Sequence, residues 1–96
     1  MKTIPPITRK PFPLGQTVVT PTVLAQIHAE DISAALSRHG QCDWGDCCPR
    51  DWRENDKAVD KSLRLFSVYH DRNSVEFWVI TEADWSATTI LLPEDY

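Results

Sequence analysis

The sequence has no long apolar run and none of the short signatures of common enzyme classes. No apolar segment approaches the ~20 residues that a membrane-spanning helix needs. The stretch from Met1 to Gly15 contains Lys2, Arg9 and Lys10 but no apolar segment of the kind found in signal peptides. The motifs GxSxG and HExxH and the P-loop are missing. These absences predict a cytoplasmic protein outside the membrane, and they make an enzyme the less favoured class.

A basic face is also missing, which argues against a nucleic-acid partner. The formal net charge is −4, and Lys and Arg are divided between positions 2–10 and 50–72. In the second group acidic residues are interleaved with the basic ones, so no basic stripe forms. Mild acidity of this kind fits a solvated domain, a weak mimic of nucleic acid, or a binder of a basic protein surface. A protein is the expected partner, and the chain is expected to be a monomer or a homodimer.

The three cysteines do not form the framework of a disulfide-rich secreted domain. Their number is odd and two of them are adjacent, since they are Cys42, Cys47 and Cys48, and this is typical of reduced thiols in the cytosol. Together with His39 they have the composition of a zinc site, although no CxxC pair is present. No cofactor is expected, and zinc at these four residues is the alternative. A second alternative is a thiol enzyme, in which Cys48 at a helix N-terminus would react and His39 or His70 would serve as its base.

The stretch Val75–Pro93 organises the predicted fold. Apolar side chains occur on both faces of residues 75–81, which is typical of a central strand covered at least partly on each side. A polar turn follows, and then a β-branched, apolar run that Pro93 ends. The Asp- and Asn-containing segment His70–Ser74 predicts a hairpin turn before this stretch. The predicted strands are residues 16–19, 63–70, 75–81 and 88–92.

Helix signals lie between the first short β-like run and the other strands. Thr20–Pro21 is a hydroxyl cap followed by proline at the first helical position. Asp31 is the expected cap of a second helix, which Gly40 is expected to end in a left-handed conformation. A third helix is predicted at Pro49–Lys61. Asn55 lies near its apolar face, and it is expected to tie a loop or a strand end by hydrogen bonds.

The predicted architecture is one α+β domain over residues 1–96. It is an antiparallel three- to four-stranded meander with two to three short helices packed on one face. Residues 1–11 contain several prolines, which disfavour helix, and they are predicted to form an extended, partly mobile arm.

Five segments of the sequence form a recognisable set. They are FPLGQxxxTP at 12–21, DWGD at 43–46, END at 54–56, RLFSVY at 64–69 and WVITEADxSxTTxLLPEDY at 78–96. Together they resemble a family of small bacterial and plasmid-associated proteins, labelled plasmid-related, over nearly all of the chain after its first ten residues. The resemblance implies a bacterial or mobile-element origin but no specific activity. At Trp85 the sequence departs from the family pattern, in which a basic residue is usual.

Two acidic loops that contain tryptophan are the candidate binding surface. Trp85 in a polar turn is either folded back on the core or offered to a partner, and Asp84 either binds that partner or accepts hydrogen bonds within its own turn. Acidic groups around aromatic anchors fit a basic, partly apolar partner. We therefore predict a small non-enzymatic protein-binding or regulatory module that acts on a host or defence protein. The predicted surface residues, if the fold brings the two loops together, are Asp43, Trp44, Asp46, Glu82, Asp84 and Trp85.

Overall fold

The computed structural model describes residues 14–96, so the predicted arm at residues 1–11 lies outside the described residues. Within residues 14–96 the chain forms four strands, three α-helices and one turn of 3-10 helix, which confirms the α+β class. In chain order they are β1 (Gln16–Val19), α1 (Pro21–Gln26), α2 (Ala29–Gly40), α3 (Pro49–Lys61), β2 (Leu65–His70), β3 (Glu76–Thr81), β4 (Ala87–Leu91) and the 3-10 turn (Pro93–Asp95).

The four strands form one sheet in the order β1-β4-β3-β2. Strands β2, β3 and β4 are the predicted antiparallel meander, in which Thr81 pairs with Leu65 on one side and with Thr88 on the other. Strand β1 lies parallel to β4, with Gln16 opposite Ala87, so the sheet is mixed rather than purely antiparallel. The prediction missed this pairing because β1 and β4 are far apart in the sequence, with all three helices and two strands between them. A local apolar pattern contains no information on such a partner.

Helices α1 and α2 cover one face of the sheet. Their apolar side chains pack on alternate residues of the strands, because successive side chains of a strand point to opposite faces. Phe77 and Val79 of β3 point towards the helices and are buried, whereas Trp78 between them points to the other face and is only half-buried. The buried residues of this core are Val23, Ile27, Ile32, Ala35, Tyr69, Phe77, Val79, Ile90 and Leu92.

The outer edge of β2 is sealed by a loop and by one side chain. Val68 donates its N–H to Trp44 O at 3.2 Å and accepts a hydrogen bond from Asp46 N at 2.7 Å. Asn55 of α3 pairs with the same edge, since its Nδ2 donates to Phe66 O at 2.6 Å and its Oδ1 accepts from Phe66 N at 3.1 Å. This confirms that Asn55 ties a strand by hydrogen bonds. A strand with a free edge can pair with a strand of another chain, and these contacts occupy the backbone groups of Phe66 and Val68 that would allow it.

The predicted starts of α1 and α3 are confirmed. Thr20 caps α1, and its Oγ1 accepts a hydrogen bond from Val23 N at 3.4 Å. Helix α3 spans Pro49–Lys61, as predicted. The predicted end of α2 is only partly right, because Gly40 is its last residue but the left-handed conformation lies at Cys42, with a φ of 67°. The chain reverses later than predicted because the residue after Gly40 still donates its N–H to carbonyl groups of the helix.

The predicted cap of α2 is wrong. The capping residue is His28, whose Nδ1 accepts a hydrogen bond from Glu30 N at 3.1 Å. Asp31 instead accepts a hydrogen bond from Arg72 Nε at 3.0 Å, and this contact lowers the pKa of Asp31 to about 2. Arg72 offers Asp31 a charged guanidinium that donates to both of its carboxylate oxygens and a backbone N–H at 3.1 Å, so the carboxylate is held at the β2–β3 turn.

Candidate functional site

The predicted acidic turn between β3 and β4 is exposed and is stabilised by its own side chains. Glu82 and Asp84 both lie on the surface. Asp84 Oδ1 accepts hydrogen bonds from Ser86 N at 3.0 Å and from Ser86 Oγ at 2.6 Å. These bonds hold the pKa of Asp84 below its ordinary value. Of the two alternatives for Asp84, the hydrogen bonds within the turn are therefore present.

Trp85 is folded back on the body of the protein. Its backbone has a left-handed φ of 58°, and its indole Nε1 donates to Leu63 O at 3.2 Å. The half-buried ring packs against a second buried cluster, formed by Trp44, Ala58 and Leu65. The side chain therefore covers this cluster. Of the two alternatives for Trp85, it is folded back on the core rather than offered to a partner.

The DWGD loop is largely occupied in holding the fold together. Trp44 is 0 % exposed, and its Nε1 donates to Asp56 Oδ1 at 3.0 Å. Its assignment to a binding surface was therefore wrong. The indole is buried because it fills the space under the loop that pairs with β2. Asp43 accepts a hydrogen bond from Arg38 Nε at 2.8 Å, and this ion pair lowers the pKa of Asp43 and raises that of Arg38.

The carboxylates of the two acidic loops lie towards different ends of β2, although Trp85 of one loop packs against the buried cluster that contains Trp44 of the other. Asp46 lies beside His70, the last residue of β2, with Oδ2 2.7 Å from His70 Nδ1. Glu82 follows Thr81, which pairs with Leu65 at the beginning of β2. The DWGD loop pairs with Val68, three residues from Leu65, so at ~3.3 Å per residue the two loops meet β2 roughly 10 Å apart. Because Trp44 is buried and Asp46 and Glu82 lie towards different ends of β2, the six predicted residues do not form one surface.

His39 is sealed in the core by a chain of hydroxyl groups. It is 0 % exposed, with Nδ1 2.5 Å from Ser67 Oγ and Nε2 2.9 Å from Thr81 Oγ1. Thr81 Oγ1 lies 2.7 Å from Thr88 Oγ1, which donates to Leu14 O at 2.6 Å. Burial lowers the pKa of His39 to about 3, so the ring is neutral near pH 7.

The direction of this hydrogen-bond chain assigns its protons. Because Thr88 donates to a carbonyl, its oxygen accepts from Thr81, and Thr81 in turn accepts from the Nε2–H group of His39. Nδ1 of the neutral ring then accepts from Ser67. A serine that acts as a nucleophile must meet its substrate, whereas Ser67 is 0 % exposed. The chain therefore ties α2 to three strands, and the Ser67 hydroxyl is not presented to solvent.

The four residues of the alternative zinc site are not assembled into one site. Both ring nitrogens of His39 contact hydroxyl groups. Cys47 Sγ donates to Phe66 O at 3.3 Å, and burial raises the pKa of this thiol to about 11, so it stays protonated near pH 7. Cys48 is exposed and Cys42 is half-buried. Among residues 14–96 no group of three or more His, Cys, Asp or Glu side chains is arranged to hold a metal ion.

A groove on the sheet face opposite α1 and α2 was not predicted from the sequence. Its apolar surface comes from Phe66, Trp78, Ile80 and Tyr96, and its volume is about 390 Å³. The rings meet edge to face, with centroids 5.1 Å apart for Phe66 and Trp78 and 5.8 Å apart for Trp78 and Tyr96. We call this surface the aromatic groove; its lining residues are Asp51, Glu54, Asn55, Arg64, Phe66, Trp78, Ile80 and Tyr96.

The charged residues that line the aromatic groove leave an excess of negative charge. Asp51 and Glu54 line it from α3, and Arg64 lines it from the segment before β2. Arg64 Nη2 donates to Tyr96 Oη at 2.9 Å, and its Cζ lies 5.5 Å from the centre of the Tyr96 ring. The guanidinium is thus held against the Tyr96 wall. Glu54 also lies 3.8 Å from Lys57 Nζ in an exposed pair, whereas Asp51 makes no ion pair within residues 14–96.

Trp78 is oriented by hydrogen bonds and charges at the other end of the same face. Its Nε1 donates to Glu76 Oε2 at 2.8 Å. Glu76 Oε1 lies 3.6 Å from His70 Nε2, and His70 Nδ1 in turn lies 2.7 Å from Asp46 Oδ2. Asp46 therefore borders the face that contains the aromatic groove, at the end of β2 away from the acidic turn at Glu82. The indole at the centre of the groove is held in one orientation before any ligand arrives.

Comparison of the chain with protein-family models, with curated proteins and with solved structures finds no match. Within residues 14–96 no helix has both the length and the apolar composition required to cross a lipid bilayer.

Proposed function

We propose that the protein is a small non-enzymatic binding module of bacterial or mobile-element origin. In this proposal it acts in the cytoplasm on a host or defence protein, and the aromatic groove is the contact surface. The occupant is a basic, partly apolar segment of the partner. The single observation that supports this is the combination of three aromatic rings with two carboxylates, Asp51 and Glu54, around one concave volume.

The chemistry of the aromatic groove fits such a segment better than it fits a second acidic surface. Buried aromatic residues supply most of the binding energy in many interfaces, and Trp78 occupies the central position here. Complementary charge adds specificity and speeds association, and the carboxylates of Asp51 and Glu54 favour a positively charged partner. The proposed partner is therefore still basic and partly apolar, as predicted from the sequence, but the proposed contact surface is the aromatic groove on the sheet rather than the acidic turn.

The acidic turn extends this surface at one side. A shallow depression next to the aromatic groove shares Glu54, Asn55 and Arg64 with it and reaches Ala83 in the turn. Glu82 and Asp84 flank Ala83 in the sequence and are exposed. They would add negative charge at the rim, where mutation of a charge changes the rate of association more than the affinity.

The positions of the reactive side chains support binding rather than catalysis. The one imidazole–hydroxyl pair at 2.5 Å among residues 14–96, His39 with Ser67, is completely buried. The thiol of Cys47 is kept protonated by its raised pKa. The groove itself is lined mainly by aromatic and apolar atoms, with charged groups at its margin, as in protein-recognition surfaces.

The test compares partner capture by the wild-type protein, by Trp78→Ala and by Leu24→Ala. Leu24 is 66 % exposed on α1 and lies outside the groove, so its substitution is the matched control. A partner identified by mass spectrometry and then purified should bind the wild type and Leu24→Ala alike. It should bind Trp78→Ala at least about thirtyfold more weakly, which is the loss expected of a central tryptophan worth ~2 kcal/mol.

Circular dichroism of Trp78→Ala verifies that the variant is folded before binding is compared. A partner with equal affinity for folded Trp78→Ala and for the wild type would show that the aromatic groove is not the contact surface. The proposed function would then have to be withdrawn for this face of the sheet.

A further inference from the structure

We propose that the aromatic groove holds one arginine side chain of the partner, with its guanidinium beside Trp78 and within reach of Asp51 and Glu54. This inference rests on the proposed function and specifies the group that anchors the partner. It is supported by the placement of the two carboxylates, by the ring arrangement and by the way the groove already holds Arg64.

The two carboxylates face the groove from one side of α3. Asp51 and Glu54 are three residues apart on a helix, so their side chains are neighbours. Asn55, the residue after Glu54, is fixed to Phe66 by two hydrogen bonds, and this holds that side of α3 against the edge of the sheet. The carboxylates are therefore positioned beside the aromatic residues rather than turned away from them.

Both carboxylates are available to a ligand. Within residues 14–96 Asp51 makes no ion pair with Lys, Arg or His, although it is half-buried. Glu54 has one such contact, with Lys57 Nζ at 3.8 Å, and both of these side chains are about two-thirds exposed. Exposed pairs of this kind contribute little, so a better-placed guanidinium would replace Lys57 readily.

Arg64 shows which cation the walls of the groove accept. Its guanidinium contacts the Tyr96 hydroxyl at 2.9 Å and lies over the Tyr96 ring at 5.5 Å. A planar, weakly hydrated guanidinium combines ring stacking with directed hydrogen bonds, which an ammonium group does less well. On the other side of the groove Trp78 supplies a ring and Asp51 and Glu54 supply carboxylate acceptors, so a second guanidinium there would find a ring together with charged hydrogen-bond acceptors.

The test uses two peptides that differ in one uncharged isostere. Both are acetylated and amidated pentapeptides with apolar flanking residues, and the central residue is arginine in one and citrulline in the other. Titration of the full ¹⁵N-labelled chain, followed at the Trp78 indole resonance, should give a dissociation constant about tenfold or more lower for the arginine peptide. The preference should shrink as salt is added.

Four variants, one of them a control, identify the groups responsible. Asp51→Asn and Glu54→Gln should each reduce the preference for arginine over citrulline, whereas Asp84→Asn in the exposed turn should leave it unchanged. Arg64→Gln removes a like charge and should strengthen binding of the arginine peptide severalfold. Because this last effect is a gain, loss of folding cannot imitate it.

The outcomes separate this inference from the proposed function. Equal affinities for the two peptides, or an arginine preference that survives both carboxylate substitutions, would overturn the arginine anchor while leaving the groove a binding surface. Absence of binding by the arginine peptide at millimolar concentrations would also overturn it. The proposed function itself fails only if partner capture does not depend on Trp78.

Discussion

Replacement of Asn55 by alanine should be among the most destabilising changes on α3. The Asn55 side chain is 5 % exposed and completes the outer edge of β2 with two hydrogen bonds to Phe66, at 2.6 and 3.1 Å. Alanine removes both the donor and the acceptor, so the N–H and C=O groups of Phe66 lose the partners that replace a neighbouring strand. The change thus removes the two hydrogen bonds that join the edge of β2 to α3 at Phe66.

The cost follows from the two backbone groups that are left. An unsatisfied buried polar group costs ~1–3 kcal/mol. Cys47 Sγ continues to donate to Phe66 O at 3.3 Å, so the carbonyl is not completely abandoned. We therefore expect Asn55→Ala to lower the free energy of unfolding by about 3 kcal/mol, which is a large part of the ~5–15 kcal/mol typical of a domain. For a domain of this size the melting temperature should fall by roughly 12–24 °C.

Urea denaturation followed by tryptophan fluorescence and far-UV circular dichroism measures this change. The midpoint should move to lower urea with an unchanged slope, because the surface exposed on unfolding is nearly the same. Lys57→Ala, an exposed position on the same helix, is the control and should change the free energy of unfolding by less than ~0.5 kcal/mol. A loss below ~1 kcal/mol for Asn55→Ala would refute the view that this amide holds the edge of β2.

Asn55→Asp tests the same contact through pH. The protonated carboxyl can donate to Phe66 O as the amide does, whereas the ionised form places a negative charge against that carbonyl. The pKa of the introduced carboxyl should therefore be higher in the folded than in the unfolded chain. Its stabilising contribution is complete below the unfolded value of ~4 and is lost as the pH rises through the folded value. Measured against the wild type at each pH, the variant should be close to the wild type near pH 4 and close to Asn55→Ala at pH 7.

Two further predictions concern the core and the DWGD loop. Since burial lowers the pKa of His39 to about 3, the unfolded chain binds a proton that the native state does not, and stability should fall as the pH drops from ~6.5 towards ~3. The loss should be on the order of 5 kcal/mol, and His39→Gln should make the free energy of unfolding less dependent on pH over this window. A Cβ at Gly45 would overlap Val68 O, and the backbone there has a left-handed φ of 71°, so Gly45→Ala should cost more than ~3 kcal/mol or abolish folding. Gly40→Ala, whose Cβ would meet nothing nearer than Leu14 Cδ2 at 3.9 Å, should be neutral or stabilising by up to ~1 kcal/mol in the same thermal melts.

Local patterns in the sequence predict most of the elements. Apolar and β-branched runs bounded by turn residues and proline locate β2, β3 and β4 within one or two residues, because such side chains suit a pleated, largely buried strand. Thr20 and Pro49 mark the starts of α1 and α3, since a hydroxyl cap and an N-terminal proline satisfy the geometry of a first helical turn. The role of Asn55 was predictable for the same reason: a polar amide on a helix face that turns towards the core must find partners.

Features that depend on distant parts of the chain were not predictable from such patterns. The parallel pairing of β1 with β4 joins the two ends of the described chain. The separation of Asp46 from Glu82 depends on which end of β2 each loop meets. The aromatic groove combines residues of α3, β2 and β3 with Tyr96, and its only local signal was that residues 75–81 are apolar on both faces.

The two faces of β2 and β3 explain why the reactive residue types in this sequence lie in the core and the aromatic residues of the groove lie on the opposite face. Positions facing α2 include Ser67 and Thr81, which lock His39 in the core, so residue types suited to catalysis are structural here. Positions one residue away, Phe66 and Trp78, face the other side, where α1 and α2 do not cover them. A one-residue alternation thus buries the polar chemistry and presents aromatic surface beside carboxylates. If the groove is the binding surface, substitutions at Trp78 should change partner affinity with little effect on the pH dependence of stability, and substitutions at His39 should do the reverse.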